Sequence, residues 1–436
     1  MDCRARFARA TGALLVTLAL AGCSTWSATR SGVEAELASG RYDEALRLHA
    51  SRSAPARDRV LHLLDRAMLE RLSGDHRASN ASFEAAKQLI DELSAVSVTE
   101  TSGSFLINDA TTAYVGEPFE RALLHAYAAL NYLDLGEHEA ARVEALQVDL
   151  TLRALAEDED GALATDPFSR YLAGIIYELR GETSDALISY RKAYQAYQAH
   201  GKLYPIAVPS VLKDDLLRLT AHVGLHDEHR RFREAFARDD GAAPTTHAGE
   251  VIVLLHNGLA PIKRERRAVL VPPQAPQVVS IALPEYQPRP SPVAAARVTV
   301  AGRKARTETV EDVNAIAVHT LAGRMPAITA RSMARVVAKF AATEGARREN
   351  QTAGTLVNLA GLLTERADTR SWLTLPGEIQ MTRVPVPAGT HTLLLELLSA
   401  TGAVIDSSTL TVNVAEGGKA VVSRHWIPSV LSTRSP

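Results

Sequence analysis

The stretch that decides the fold is ALLHAYAALNYLDLGEHEAARVEALQ, residues 122–147. Apolar residues recur at helical spacing on both sides of Gly136, so the stretch reads as two helices joined by a short turn. Ala129 stands seven positions before that glycine, Tyr132 four before it, and Ala141 five after it. Three other turns share the pattern: GRYDEA (40–45), GDHRAS (74–79) and GETSDA (181–186). Ala67 and Gly174 take the upstream small position in two of them, Tyr177 repeats the aromatic, and Phe83 and Tyr190 follow the later small residue by four. Small residues let paired helices approach closely, and glycine ends the first helix of each pair.

This pattern resembles the tetratricopeptide (TPR) helix–turn–helix, and it predicts a TPR-like α-solenoid over residues 33–240. The first copy is the most degenerate, with Val33 and Glu36 at the small and aromatic positions. One insertion interrupts the array, at 97–118, and feeds a helix near Phe119 through Gly116-Glu117-Pro118. Inserted loops of this length are often functional, which makes Asn108, Asp109, Tyr114 and Glu117 candidate partner-binding residues. The alternative is a loop that caps the solenoid edge. His222, His226 and His229 have the spacing of a metal-binding helix face, but Gly224-Leu225 reads as a helix stop between them. No metal and no cofactor are expected.

After about residue 245 valine, threonine and proline rise, which marks a second, strand-rich mixed domain over 247–436. Strands are predicted at Val251–Leu255, Ala268–Pro272 and Gln277–Pro284, then a loop over Pro284–Pro292 and a hairpin turning at Ala301-Gly302. The stretch VEDVNAIAVHTL (Val310–Leu321) reads as helical, and further helices are predicted near 326–365. The clearest starts at Pro326 and carries Arg331, Arg335 and Lys339 along one side, a pattern that reads as a solvated face or as a site for an acidic partner or lipid headgroup. Terminal strands lie within 378–427, and those at Thr390–Leu398, Val404–Val414 and Ala420–Trp426 are expected to form a small antiparallel sheet or sandwich. Between helix and strands, Asp368, Arg370 and Trp372 form a dense cluster. Arg370 has the chemistry to clamp a carboxylate or phosphate, and Trp372 to stack on a sugar or peptide. The competing reading is an Arg–Asp pair with a tryptophan plugging a domain junction.

The amino terminus settles the expected compartment. Arg4, Arg6 and Arg9 precede an apolar run from Gly12 to Leu20, too short to span a bilayer. Leu20-Ala21-Gly22-Cys23 resembles the lipobox of bacterial lipoproteins. That resemblance implies a signal peptide over 1–22, lipidation of Cys23, a linker over 23–32, and an anchor in the outer membrane facing the periplasm, since Ser24 rather than aspartate follows. Cleavage removes Cys3 as well, so the mature chain holds one acylated cysteine and no disulfide. Formal charge is −2 for the whole chain, and losing Asp2 and the three arginines brings it to −4. A chain this acidic carries no signature of a nucleic-acid partner.

Taken together, INDATTAYVGEPFERALLHAYAALNYLDLGEHEAARVE, VLLHNGLAPIKRE and ADTRSWLTLP resemble an uncharacterised proteobacterial family of TPR-bearing outer-membrane lipoproteins. The resemblance supplies no catalytic residues. No phosphate-binding glycine loop, HExxH helix or GxSxG elbow is present, and His256 beside Asn257-Gly258 reads as structural. The expected function is a non-enzymatic, lipid-anchored scaffold or adaptor that binds a protein partner in cell-envelope assembly. Peptidoglycan binding or regulation of its synthesis, and a structural role in a secretion or appendage complex, are the alternatives.

Overall fold

The computed structural model describes residues 26–97, 112–158, 166–237, 249–270, 279–352, 354–355 and 366–428. Its first part is a row of helical hairpins: α1 (Trp26–Ala38) with α2 (Tyr42–Ala50), α3 (Arg59–Leu72) with α4 (His76–Ser97), α5 (Pro118–Asp134) with α6 (His138–Asp158), and α7 (Pro167–Leu179) with α8 (Thr183–His200). Gly40, Gly74, Gly136 and Gly181 all turn with φ between +70° and +86°, a region costly for any residue with a side chain. Ala45, Ser79, Ala141 and Ala186, five positions on, are fully buried. At the second turn Ser79 Oγ donates to the Ala67 carbonyl across the hairpin, at 2.7 Å. Gly174 is required by close packing: a Cβ there would lie 2.4 Å from the ring of Tyr190.

A fifth hairpin, α9 (Ser210–His222) with α10 (His226–Phe236), turns at Gly224 with φ +74°. Its small position is taken by His229, whose Nδ1 lies 3.0 Å from the Leu217 carbonyl, the contact that Ser79 makes in the second pair. A helix with no buried residue ends the row, so the tight approach is not needed there. The same turn places His222 on a different helix from His226 and His229.

Among the described residues the second part contains two four-stranded sheets, a two-stranded ribbon and one long helix. The strands are β1 (Gly249–Asn257), β2 (Ile262–Leu270), β3 (Val279–Gln287), β4 (Ala295–Val300), β5 (Arg303–Arg306), β6 (Glu308–Glu311), β7 (Glu378–Val386), β8 (Gly389–Leu398), β9 (Val404–Val414) and β10 (Gly418–Trp426). Sheet orders are β10-β1-β7-β6 and β5-β4-β8-β9, with β2-β3 apart. The Ala301-Gly302 turn, both residues at positive φ, joins β4 to β5.

Four sequence expectations are corrected here. The last three strands do not form one sheet: β8 and β9 pair, but β10 crosses to the other sheet and runs parallel to β1 over nine residues. The cause is β1 itself, whose run Val251–Leu255 is apolar on both faces and needs a covered, fully paired position. Pro284, expected to open a loop, lies within β3 opposite Glu265. In a two-stranded ribbon alternate N–H groups point outward, so a proline there removes no ladder bond. Finally, the helix expected from Pro326 is not a separate one: it continues the helical stretch expected over Val310–Leu321, and the two form one helix, Val313–Glu349 (α11). Pro326 and Ala322 are both exposed, so the carbonyl that the proline deprives of its helical donor belongs to a residue on the solvent side of the helix. Within it Arg335, expected in a solvated basic stripe, is buried and donates to Ser332 Oγ at 3.0 Å.

The layers follow from these pairings. Val251, Val253 and Leu255 of β1 join Val298, Leu395 and Val412 in the core between the two sheets. The opposite face, with Ile252, Leu254, Ile379 and Met381, packs into the helical hairpins against Tyr127 and Trp372. The change in composition near residue 245 is therefore no boundary in packing. Glu308 of β6 seals the joint at one end, accepting the N–H groups of Ser210 and Val211 at 2.8 and 2.9 Å at the amino terminus of α9.

Candidate functional site

Five of the candidate residues converge. Tyr114, Glu117, Asp368, Arg370 and Trp372 meet where the entry strand of α5 crosses the segment before β7, whereas Cys23, Asn108 and Asp109 lie outside the described residues. Arg370 grips Asp368 with Nε and Nη2 at 2.8 and 2.7 Å. Its Nη1 donates to the Thr112 carbonyl at 2.8 Å and to Asp58 at 3.2 Å, and its guanidinium lies over the Tyr114 ring. Glu117 accepts from Lys263 at 2.6 Å and pairs with Arg324; against the cost of burial these two cations hold its carboxyl below the usual range.

Trp372 is 1% exposed, edge-on to Phe83 and Tyr127. Its backbone N–H donates to Glu120 at 2.8 Å, and its Nε1 donates to Thr374, which donates on to Asp65. The stacking and clamping roles are thus corrected. A tryptophan with no free face cannot stack on a sugar, and an arginine with every edge engaged cannot clamp an incoming anion. Tyr114 and Glu117 face the same joint rather than a partner.

Two further polar nodes tie the middle sheet to the helices, and of their residues only His256 is weighed in the sequence for a chemical role, where it reads as structural. Arg383 of β7 pairs with Asp215 and Glu250 and reaches Glu178 at 3.3 Å, while Arg218 bonds both Glu178 and Asp215, and Lys419 of β10 reaches Glu178. The signal was present: Arg383 follows Ile379 and Met381 at period two, an arginine in an apolar register. In the second node, Tyr127 OH lies 2.9 Å from His256 Nδ1, and His256 Nε2 lies 2.8 Å from Ser423 Oγ. Arg71 also donates to that oxygen at 2.8 Å, beside a cavity of about 470 Å³. The spacing is that of a serine–histidine pair. With the Tyr127 hydroxyl assigned as donor to Nδ1, however, the imidazole proton sits on Nε2, and Ser423 accepts twice with no base to take its own proton.

These burials make stability depend on pH. Burial, with the nearby Arg71 charge, pushes His425 down to about 4 from 6.5. Between pH 6.5 and 4 the unfolded chain takes up a proton that the folded chain refuses. Stability therefore falls by up to about 3 kcal/mol on acidification, with no contribution above 6.5. Glu120 has the opposite sign: burial and the Glu117 charge push it up to about 7. Its contribution is complete below pH 4.5 and is lost, again by about 3 kcal/mol, as pH rises to 7. Urea midpoints against pH are expected to flatten on the acid side in His425→Gln and between pH 4.5 and 7 in Glu120→Gln.

The outer surface of the hairpins is different. On α6, Val143, Leu146 and Leu150 share one helix face and are 45–48% exposed. Beside them runs a groove of about 480 Å³ between α4, α5 and α6. Lys87 and His125 bond the two oxygens of Glu144 within it, at 2.8 and 2.7 Å. The chain matches no family model and no curated protein. Among solved structures it is similar to MamA (AMB-1, P212121), at 15% identity and TM-score 0.28, over 50% of this chain and 92% of that one. BtubC (BKLC) from P. vanneervenii gives 16% identity and TM-score 0.30 over 47% and 75%, and MamA (MSR-1, C2) gives 13% and 0.27 over 48% and 95%. The assignment of TPR-like hairpins to this chain stands on its own turn geometry and buried small residues.

Proposed function

We propose that this chain is a lipid-anchored, periplasm-facing scaffold at the outer membrane, without a catalytic site, that binds a protein partner in cell-envelope assembly through the outer face of α6. The observation that carries the partner surface is the exposed trio Val143, Leu146 and Leu150 beside the α4–α6 groove. The first helices of the hairpins are occupied by the chain's own middle sheet, through contacts such as Tyr127 to His256 and Asp215 to Arg383. A solenoid whose first-helix face is filled from within has its second-helix face left to offer. With Trp372 and Arg370 buried, nothing in the geometry favours peptidoglycan binding.

The test is capture from detergent-solubilised envelopes. A stoichiometric partner is expected on the parent chain, reduced about tenfold on Leu146→Glu, a change at an exposed position that leaves the core intact. Equal capture by both chains overturns the assignment of this face. Cys23→Ser is expected to move the protein from the membrane to the soluble fraction, and its retention at the membrane overturns the anchor.

A further inference from the structure

The cavity of about 470 Å³ beside Ser423 has a lining of two kinds. Tyr42, Leu72 and Leu410 are apolar and only partly buried, each at the rim of a hydrophobic cluster. Arg71, Asp134, Ser423 and His425 supply polar groups. Arg71 pairs with Asp134 at 2.9 Å, so those two full charges cancel. Arg424 falls on the other face of β10, with Val422 and Trp426, and is exposed.

Hydrogen-bond accounting shows what the polar groups lack. Among the described residues the fully buried Tyr127 OH reaches no acceptor but His256 Nδ1, so the His256 proton stands on Nε2 and is donated to Ser423 Oγ at 2.8 Å. Arg71 Nη2 donates to the same oxygen at 2.8 Å. Both lone pairs of Ser423 are thereby taken, and its own O–H has no acceptor among the described residues. Two residues on, along the same face of β10, the opposite lack appears. His425 Nε2 lies 3.1 Å from the Gly258 carbonyl, which can only accept, so the proton is on Nε2 and Nδ1 is a bare acceptor. Burial, with the Arg71 charge, pushes this ring down to about 4, so it takes no second proton at neutral pH.

A hungry donor and a hungry acceptor thus stand side by side, roughly 7 Å apart at the backbone, a span that two neighbouring hydroxyls can bridge. Ions suit the cavity poorly: an anion would meet Asp134 and the Nδ1 lone pair, and a cation would meet the Arg71 guanidinium. A molecule with hydroxyls on its rim and an apolar face suits both kinds of lining.

We propose that the cavity binds an uncharged sugar ring, one hydroxyl accepting from Ser423 and a neighbouring one donating to His425 Nδ1, with the apolar face of the ring against Tyr42 and Leu72. Neither acylation of Cys23 nor the α6 partner enters into this contact.

The test is saturation-transfer NMR on the chain from residue 23 onward with Cys23→Ser, which keeps every described residue. The probes are glucose, galactose and mannose as single rings and maltotriose as a short glycan. Saturable binding of at least one probe is expected; tighter binding of the trisaccharide assigns the site to a glycan chain, and equal binding to a single ring. Ser423→Ala is expected to weaken the contact about tenfold. Because that change also strips Arg71 and His256 of their acceptor, a second reading is taken on the parent chain. In imidazole nitrogen NMR the His425 Nδ1 signal, assigned by its loss in His425→Gln, is expected to shift as the sugar saturates. No binding by any of these probes overturns the proposal, as does binding that leaves the His425 Nδ1 signal unmoved or is unchanged in Ser423→Ala. Displacement of the sugar by inorganic phosphate overturns the assignment to an uncharged ligand.

Discussion

Replacing Arg383 with alanine is expected to cost the folded chain about 3–5 kcal/mol, the range for removing one member of a buried ionic network. The guanidinium comes from the middle sheet, its side chain only 5% exposed, with Asp215 of α9, Glu178 of α7 and Glu250 of β1 around it. Removing it leaves Arg218, paired with Glu178 and Asp215, and Lys419, paired with Glu178, to balance three carboxylates. The surviving carboxylates must then be left unpaired, protonated or reached by water, and each route costs stability. Arg383→Lys keeps the charge but not the fork that bridges two elements at once, so its loss should be intermediate. Urea unfolding read by circular dichroism measures both. Because helices and sheet share one hydrophobic cluster, the two parts are expected to lose stability together. A midpoint unchanged by Arg383→Ala would mean the network does not hold the sheet to the helices.

Trp372→Ala is the second large effect, also about 3–5 kcal/mol. The indole is the largest side chain buried to this extent, and it fills the space between Phe83 of α4 and Tyr127 of α5. Alanine leaves a cavity that rigid helices cannot close, and it strips Thr374 of a donor in the chain that ends on Asp65. Trp372→Phe restores most of the volume but not the Nε1 donor, and is expected to recover more than half of the loss. If instead the alanine variant keeps its stability and loses only partner capture, the tryptophan is a binding residue and not the filler of this joint.

Much of the helical part was legible because its constraints are local. Glycine at a left-handed turn and a small residue five positions on are needed within one hairpin, so the pattern survives in the sequence wherever the hairpin is tight. The fifth hairpin escaped because His229 replaces the small residue at the open end of the row. The β part was legible in its strands but not in its pairing. Nothing local tells β10 to leave β9 for β1, since that choice is made by the two-faced burial of a strand more than 160 residues earlier. The Asp368–Trp372 cluster was recognised as costly, but sequence does not show which way such residues face. Here they face inward, against Asp58 and Glu120, partners contributed by helices more than 200 residues away.

The pairing of β10 with β1 also sets an order of events. Each hairpin closes through contacts a few tens of residues apart, so a nascent chain can form them as they emerge. The middle sheet has to wait: until residues 418–426 arrive, β1 has β7 on one side and an open ladder on the other. Completion of the core is thereby deferred to the last steps of synthesis, and a ribosome stalled before Gly418 would release a chain with formed hairpins and a sticky strand edge.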